Sequence, residues 1–275
     1  MGGGEGEAAP AVCAAVQNLG HAVLDVERLP GASGNPSWRV RTAAGPFAVR
    51  LYPRTAAGTA HGLARLAEVL AGAGYPVPRA AQVAEIPEHV ALVQEWAPGV
   101  PLAHALEEAP GRAENLGRAF GAAHAHLHAL PVPGEAQAAL RRMGDSANSS
   151  FPPAWLHLDY HPLNVLVEDG RVSAVLDWEN VALGDARLDV ARTLSILSVD
   201  PAVWSLPGEL RRALLAFRRG YLAGYRQGGG RLGGMAPCLA WAGEFMKRDL
   251  AGRFASGELG HVERWTRAWV FRGRT

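Results

Sequence analysis

The stretch 165–176 leaves the chain little choice. Val165-Leu166-Val167 and Val172-Ser173-Ala174-Val175-Leu176 are two short apolar, strand-forming runs. Asp169-Gly170 between them is a strong hairpin signal. Two antiparallel strands joined there bring the residues at their feet, Asn164 and Asp177, side by side. Any fold the chain adopts has to house this hairpin with a polar residue at each foot.

A third polar residue precedes them, giving His-x-Asp-x4-Asn-x12-Asp over His157, Asp159, Asn164 and Asp177. Two oxygen donors on one edge suit a hard cation such as Mg²⁺. Asp-x4-Asn is the spacing at which kinases place a proton-accepting Asp and a metal-holding Asn, with a second metal-binding Asp further on. A plain buried hairpin with polar ends is the competing reading, but it does not account for the full pattern.

Composition narrows the class. With 275 residues the chain exceeds one ordinary core, so one large or two modest domains are expected. A net charge of +1 without basic runs argues against nucleic acid or an anionic membrane as partner. No long uncharged apolar stretch and no basic-then-apolar start is present, which points to a cytoplasmic protein without membrane span or signal peptide. Cys13 and Cys238 are too few and too distant for a disulfide framework or a zinc site. Of the 27 Lys and Arg residues only Lys247 is a lysine, a chain-wide bias toward Arg.

Along the chain, residues 1–10 read as a disordered tail and 11–19 as a short helix. Strands are expected at 22–28, 37–42, 46–52, 80–86 and 89–96, with a helix at 56–73 ended by Pro76 and Pro78. Together these make a small five-stranded sheet with one helix, residues 1–97. From 98 to 275 the pattern turns helical: 112–129, a Pro/Gly/Ser-rich connector at 131–153, the hairpin, then helices at 186–199, 207–226, 236–254 and 257–272.

Several first-half features suit a nucleotide. The Gly31–Ser37 loop is small enough for backbone N–H groups to approach phosphates, though it also reads as an ordinary hairpin loop. Arg50 is a lone charge in the strand Phe47-Ala48-Val49-Arg50-Leu51, either a phosphate contact or a solvent-facing residue. Glu68, on the next helix, could pair with Arg50 or simply face solvent. Leu92 to Gly99 ends the last strand at the junction, where backbone groups could meet an adenine edge.

These residues resemble the aminoglycoside phosphotransferase/choline kinase family, small-molecule relatives of the protein kinases. The resemblance spans residues 22 to 255. Its most specific parts are LHLDYHPLNVLV, AVLDWE and GDARLDVART, with RLPGASGNPSWRV, FAVRLY, GYPVPRA and LVQEWAPGVPL in the first half. It implies an α+β, two-lobed protein-kinase-like fold, with a small antiparallel five-stranded N-terminal lobe and a larger helical C-terminal lobe. It also implies an ATP- (or GTP-) and Mg²⁺-dependent phosphotransferase acting on a small-molecule hydroxyl, as monomer or homodimer.

Carried over position by position, Asp159 would be the base in the loop 157–164. Asn164 and Asp177 would hold Mg²⁺, with 177–179 as the metal-binding strand end. Ser33, Gly34 and Asn35 would cover the phosphates, Arg50 would contact them and Glu68 could brace it. Glu95, Trp96 and Ala97 would meet adenine, and Asp189 would brace the loop from beneath. Candidate acceptor contacts are His161, Glu179, Trp241, Glu244 and Asp249. His124 and His128 share a helix face at a metal-capable spacing, but no nearby acid completes a site, so a packed helix is the expectation.

The chain departs from the family in carrying Arg50 where better-known members have Lys, Leu158 where Gly is common, and Trp178-Glu179 after Asp177. Arg at 50 keeps the charge and offers a fork to phosphate. Two alternatives stay open: a non-catalytic nucleotide-binding scaffold on the same fold, and an aminoglycoside-resistance kinase proper.

Overall fold

Alternation of inward and outward residues builds the first sheet. A computed structural model describes residues 5–29, 36–79, 82–143, 152–254 and 259–273. It divides into two compact units, Met1–Pro98 and Gly99–Thr275.

The first unit runs α1 (Glu5–Asn18), β1 (Val23–Arg28), β2 (Ser37–Thr42), β3 (Gly45–Pro53), α2 (Ala57–Gly72), β4 (Gln82–Glu85) and β5 (His89–Glu95). Its five strands pair antiparallel in the order β1-β2-β3-β5-β4. Successive side chains of a strand point to opposite faces, and here each face has its own helix. Val49, Leu51, Ala91 and Val93 pack with Val12, Ala15 and Val16 of α1. Tyr52, Val90 and Leu92 pack with Ala60, Ala64 and Ala67 of α2. The expected tail is therefore corrected. Residues 5–10 belong to a helix, because the sheet's second apolar face needs a cover.

The second unit contains β6 (Val100–Pro101), α3 (Leu102–Glu108), α4 (Ala113–Ala129), α5 (Gly134–Ala139), β7 (Arg142–Met143), β8 (Ala154–Leu156), β9 (Val165–Glu168), β10 (Arg171–Val175) and β11 (Ala182–Gly184). It closes with α6 (Ala186–Val199), α7 (Pro201–Ser205), α8 (Gly208–Gln227), α9 (Met235–Leu250) and α10 (Gly260–Arg272). The hairpin forms as β9–β10, closed by Asp169 and Gly170 with φ of 52° and 78°. Helix α9 stops at Leu250 rather than 254, as Ala251 turns extended and Gly252 takes φ 85°. A small sheet, β7-β11-β8, was not anticipated; two- and three-residue strands are too short to show a period.

Glycines set how closely α4 and α8 pack. A Cβ on Gly117 or Gly121 would lie 2.2 or 2.1 Å from a carbonyl oxygen of Phe217 or Tyr221. On Gly220 or Gly224 it would lie 2.0 or 2.1 Å from that of Glu114 or Arg118. The backbones therefore touch. Gly121→Ala is expected to cost about 2 kcal/mol or more in urea unfolding through overpacking. Gly62→Ala on α2, with nothing within 4 Å, should instead stabilise by up to about 1 kcal/mol.

Candidate active site

The loop from His157 to Asn164 leaves β8 and enters β9, and one face of α6 holds its backbone. Asp189 accepts the His157 N–H on Oδ2 at 2.6 Å and the Leu158 N–H on Oδ1 at 2.7 Å. Arg192 Nε donates to the Leu158 carbonyl at 3.3 Å, and Thr193 Oγ1 donates to the Tyr160 carbonyl at 2.9 Å. Positions 189, 192 and 193 share a face because i, i+3 and i+4 do on a helix. Leu158 sits at φ 62°, a left-handed value that costs a non-glycine residue about 1 kcal/mol. Burial of its side chain among Leu156, Ala182 and Trp241 holds it there.

His157 ties this loop to the hairpin. Its Nδ1 accepts the Asp159 N–H at 3.2 Å, so its Nε2 carries the proton donated to the Leu176 carbonyl at 2.8 Å. That neutral form agrees with burial pushing its pKa down. The Asp159 carboxylate meets Asn164 Nδ2 at 3.1 Å and His161 Nε2 at 3.5 Å. Burial alone would raise its pKa. Hydrogen bonding to His161 and the nearby His161, His157 and Arg192 side chains bring it below the ordinary value.

Asn164 and Asp177 stand at the hairpin's feet, joined by the Leu176 N–H to Asn164 carbonyl bond of 2.8 Å. Asn164 Nδ2 is committed to the Asp159 carbonyl at 3.0 Å and its carboxylate, which turns Oδ1 the other way. Asp177 takes φ 60°, a left-handed residue at the strand exit. An amide oxygen and a carboxylate, both half-exposed, form a hard donor set that fits Mg²⁺.

The other expected residues are placed as follows. Ser33, Gly34 and Asn35 lie outside the described residues. Arg50 shares Tyr52's sheet face by alternation, and its Nε donates to Ser37 Oγ at 3.2 Å. Glu68 is exposed on α2, and among the described residues no ion pair joins it to Arg50. The Glu95 and Trp96 N–H groups are already bonded to the Arg79 and Pro46 carbonyls, at 3.1 and 3.0 Å, so neither is free for an adenine edge. Glu179 is exposed beside Asp177. On α9, Trp241 packs near Leu158, Glu244 pairs with Lys247 at 2.8 Å, and Asp249 pairs with buried Arg192.

One expectation is overturned. His124 and His128 do have an acid: Asp189, which no reading of the helix alone could supply. Their Nε2 atoms lie 3.0 and 3.2 Å from Asp189 Oδ2. With those protons donated, Nδ1 of each accepts from Tyr221 and Tyr225 hydroxyls at 3.0 and 2.7 Å. The two histidines and Asp189 also have metal-capable spacing, within 4.8 Å. Hydrogen bonding already uses each of those ligand atoms and accounts for the cluster without a cation. Burial opposes the Asp189 charge, but the facing His124 and His128 outweigh it, and its carboxyl lies well below the usual range.

The phosphotransferase enzyme family model matches residues 25–139 and 134–234. The chain belongs to that family. No curated protein matches it. Among solved structures it is similar to macrolide 2'-phosphotransferase MphH from Brachybacterium faecium, at 18% identity and TM-score 0.58, covering 94% of this chain and 98% of that one. It is also similar to an aminoglycoside-3'-phosphotransferase of type VIII, at 23% identity and TM-score 0.55, covering 84% and 96%. A third is a thermostable mutant of aminoglycoside phosphotransferase APH(4)-Ia in ternary complex with AMP-PNP and hygromycin B, at 14% identity and TM-score 0.65, covering 94% and 96%. The fold is thus the kinase-like one of these enzymes. No described helix is long and apolar enough to cross a membrane.

Burial, then the charge of His128, lowers the His124 pKa from 6.5 to about 4 against the pull of Asp189. The unfolded chain therefore takes up this proton first. Stability is full above pH 6.5, falls as the pH drops below it, and stops falling from this source near 4. The shift corresponds to about 3 kcal/mol at most. His124→Phe should cost stability at pH 7.5. In denaturant titrations its deficit relative to the parent should shrink at pH 5.

Proposed function

We propose that the chain transfers the γ-phosphoryl group of ATP to a hydroxyl of a small molecule. The observation that carries this reading is the grouping of Asp159, Asn164 and Asp177 at one end of a hairpin whose approach loop is bonded to α6. Asp159, held ionised by its neighbours, orients the acceptor hydroxyl and takes its proton. Asn164 and Asp177 would hold Mg²⁺, which neutralises phosphate charge when bound. Arg50 is the residue to contact the phosphates, with Ser33, Gly34 and Asn35 as the covering loop. The similarity to a structure bound to AMP-PNP supports a nucleotide as donor. Of Glu95, Trp96 and Ala97, only Ala97 has an N–H without a backbone bond among the described residues, which makes it the one to meet the base.

Both α9 carboxylates proposed as acceptor contacts are paired within the unit, Glu244 with Lys247 and Asp249 with Arg192. That supports an acceptor that is not a polycation, and favours a metabolite kinase over an aminoglycoside-resistance enzyme.

The deciding experiment is a screen of Mg·ATP consumption against hydroxylated metabolites, macrolides and aminoglycosides. Asp159→Asn should lower kcat by about 10³-fold or more while Mg·ATP affinity stays within a few-fold. An active Asp159→Asn enzyme would sink the base assignment. Asp177→Ala should abolish Mg²⁺-dependent nucleotide binding in calorimetry; retained tight affinity refutes the metal assignment. Absence of both turnover and Mg·ATP binding in the parent protein would leave a scaffold.

A further inference from the structure

Arg192 is 5% exposed and uses its whole guanidinium. Nε donates to the Leu158 carbonyl at 3.3 Å, Nη1 reaches Met246 Sδ at 3.3 Å, and Nη2 bonds Asp249 Oδ2. The Phe245 ring lies 4.9 Å beneath its Cζ. Three of these four partners are on α9. The fourth is the peptide immediately before Asp159.

A guanidinium is costly to bury, and a site needing only bulk would be filled better by an apolar side chain. The fork geometry explains the choice, because one planar group with fixed donors can bind two elements at a set angle. The Leu158–Asp159 peptide needs such a grip. Leu158 is left-handed, and its N–H and carbonyl are held by different side chains of α6, Asp189 and Arg192. Releasing the carbonyl leaves that peptide held only by the Asp159 N–H bond to His157 Nδ1, and Asp159 is the first side chain to move with it. Asp249, 34% exposed, is accessible enough to rehydrate if the pair is lost.

We propose that Arg192 is a positioning residue that clamps the Leu158–Asp159 peptide to helix α9, so that placement of the Asp159 side chain depends on the Arg192–Asp249 pair. The consequence for turnover rests on Asp159 being the base; the clamp itself does not.

The test compares Arg192→Met, Arg192→Lys and Asp249→Asn with the parent, using hydrogen exchange by mass spectrometry and turnover of Mg·ATP with the best acceptor of the screen, or with water if none is found. Deuterium uptake in peptides covering 157–164 should rise in Arg192→Met and Asp249→Asn, with α4 and α8 unchanged. Their kcat should fall about tenfold while KM for Mg·ATP stays within about twofold. Arg192→Lys, which keeps the charge but not the fork, should recover only part of the loss. Unchanged loop exchange overturns the clamp, as does a rise spread evenly over the whole unit with kcat per folded molecule intact. Asp159→Asn separates the two ideas. If it turns over like the parent, the base assignment fails and loop exchange alone still decides on Arg192. If Arg192→Met does not fold, Asp249→Asn decides by the same two readouts.

Discussion

The candidate site depends on a buried carboxylate. Asp189 accepts two consecutive backbone N–H groups from the loop and two ring N–H groups from α4, all inside the protein. Such a charge is tolerable only when its lone pairs are filled by donors. Here the donors come from two elements and the acceptor from a third, so satisfying one residue fixes the loop, α4 and α6 together. His124 is neutral near pH 7, so donation rather than ion pairing is what holds the carboxylate there.

The rest of the loop follows from that anchor. With His157 and Leu158 fixed, His157 can accept the Asp159 N–H and donate to Leu176, which makes the hairpin's outgoing strand part of the same network. Asn164 closes it from the other side by donating to Asp159. Asp159 and Asn164, picked out by spacing, are thus joined by a bond that spacing does not reveal, and the residue before Asp177 is tied to both Asn164 and His157. Among the described residues, two of the three non-glycine left-handed ones, Leu158 and Asp177, fall in or next to this network. Concentrated backbone strain of this kind is found where surrounding contacts over-determine a site.

Much of this was legible in the sequence, and for physical reasons. The strands of the first sheet are short runs set off by Gly- and Pro-containing breaks, and Asp169-Gly170 marks the hairpin. Helix α6 opens on a capping Asp185. What stayed hidden were partners far apart in the chain. Asp189 lies 61 residues from His128, and Tyr221 lies 97 from His124. The helical state of residues 5–10 depends on a sheet face that only the folded unit defines. The prior commitment of the Glu95 and Trp96 N–H groups likewise comes from neighbours, Arg79 and Pro46, that local pattern cannot pair.

The α4–α8 contact has a mechanical consequence. Gly117 and Gly121 face Phe217 and Tyr221, and His124 and His128 face Tyr221 and Tyr225, with both sets advancing four residues at a time. The helices therefore run parallel and mesh like a rack. A slip of one turn, about 5.4 Å, would take a hydroxyl from one histidine and bring a residue with a Cβ to a place where only hydrogen fits. Intermediate positions are worse still, so the interface has one seat rather than a range of them. Adjustment of this unit to a bound molecule then has to come from elements outside the meshed pair.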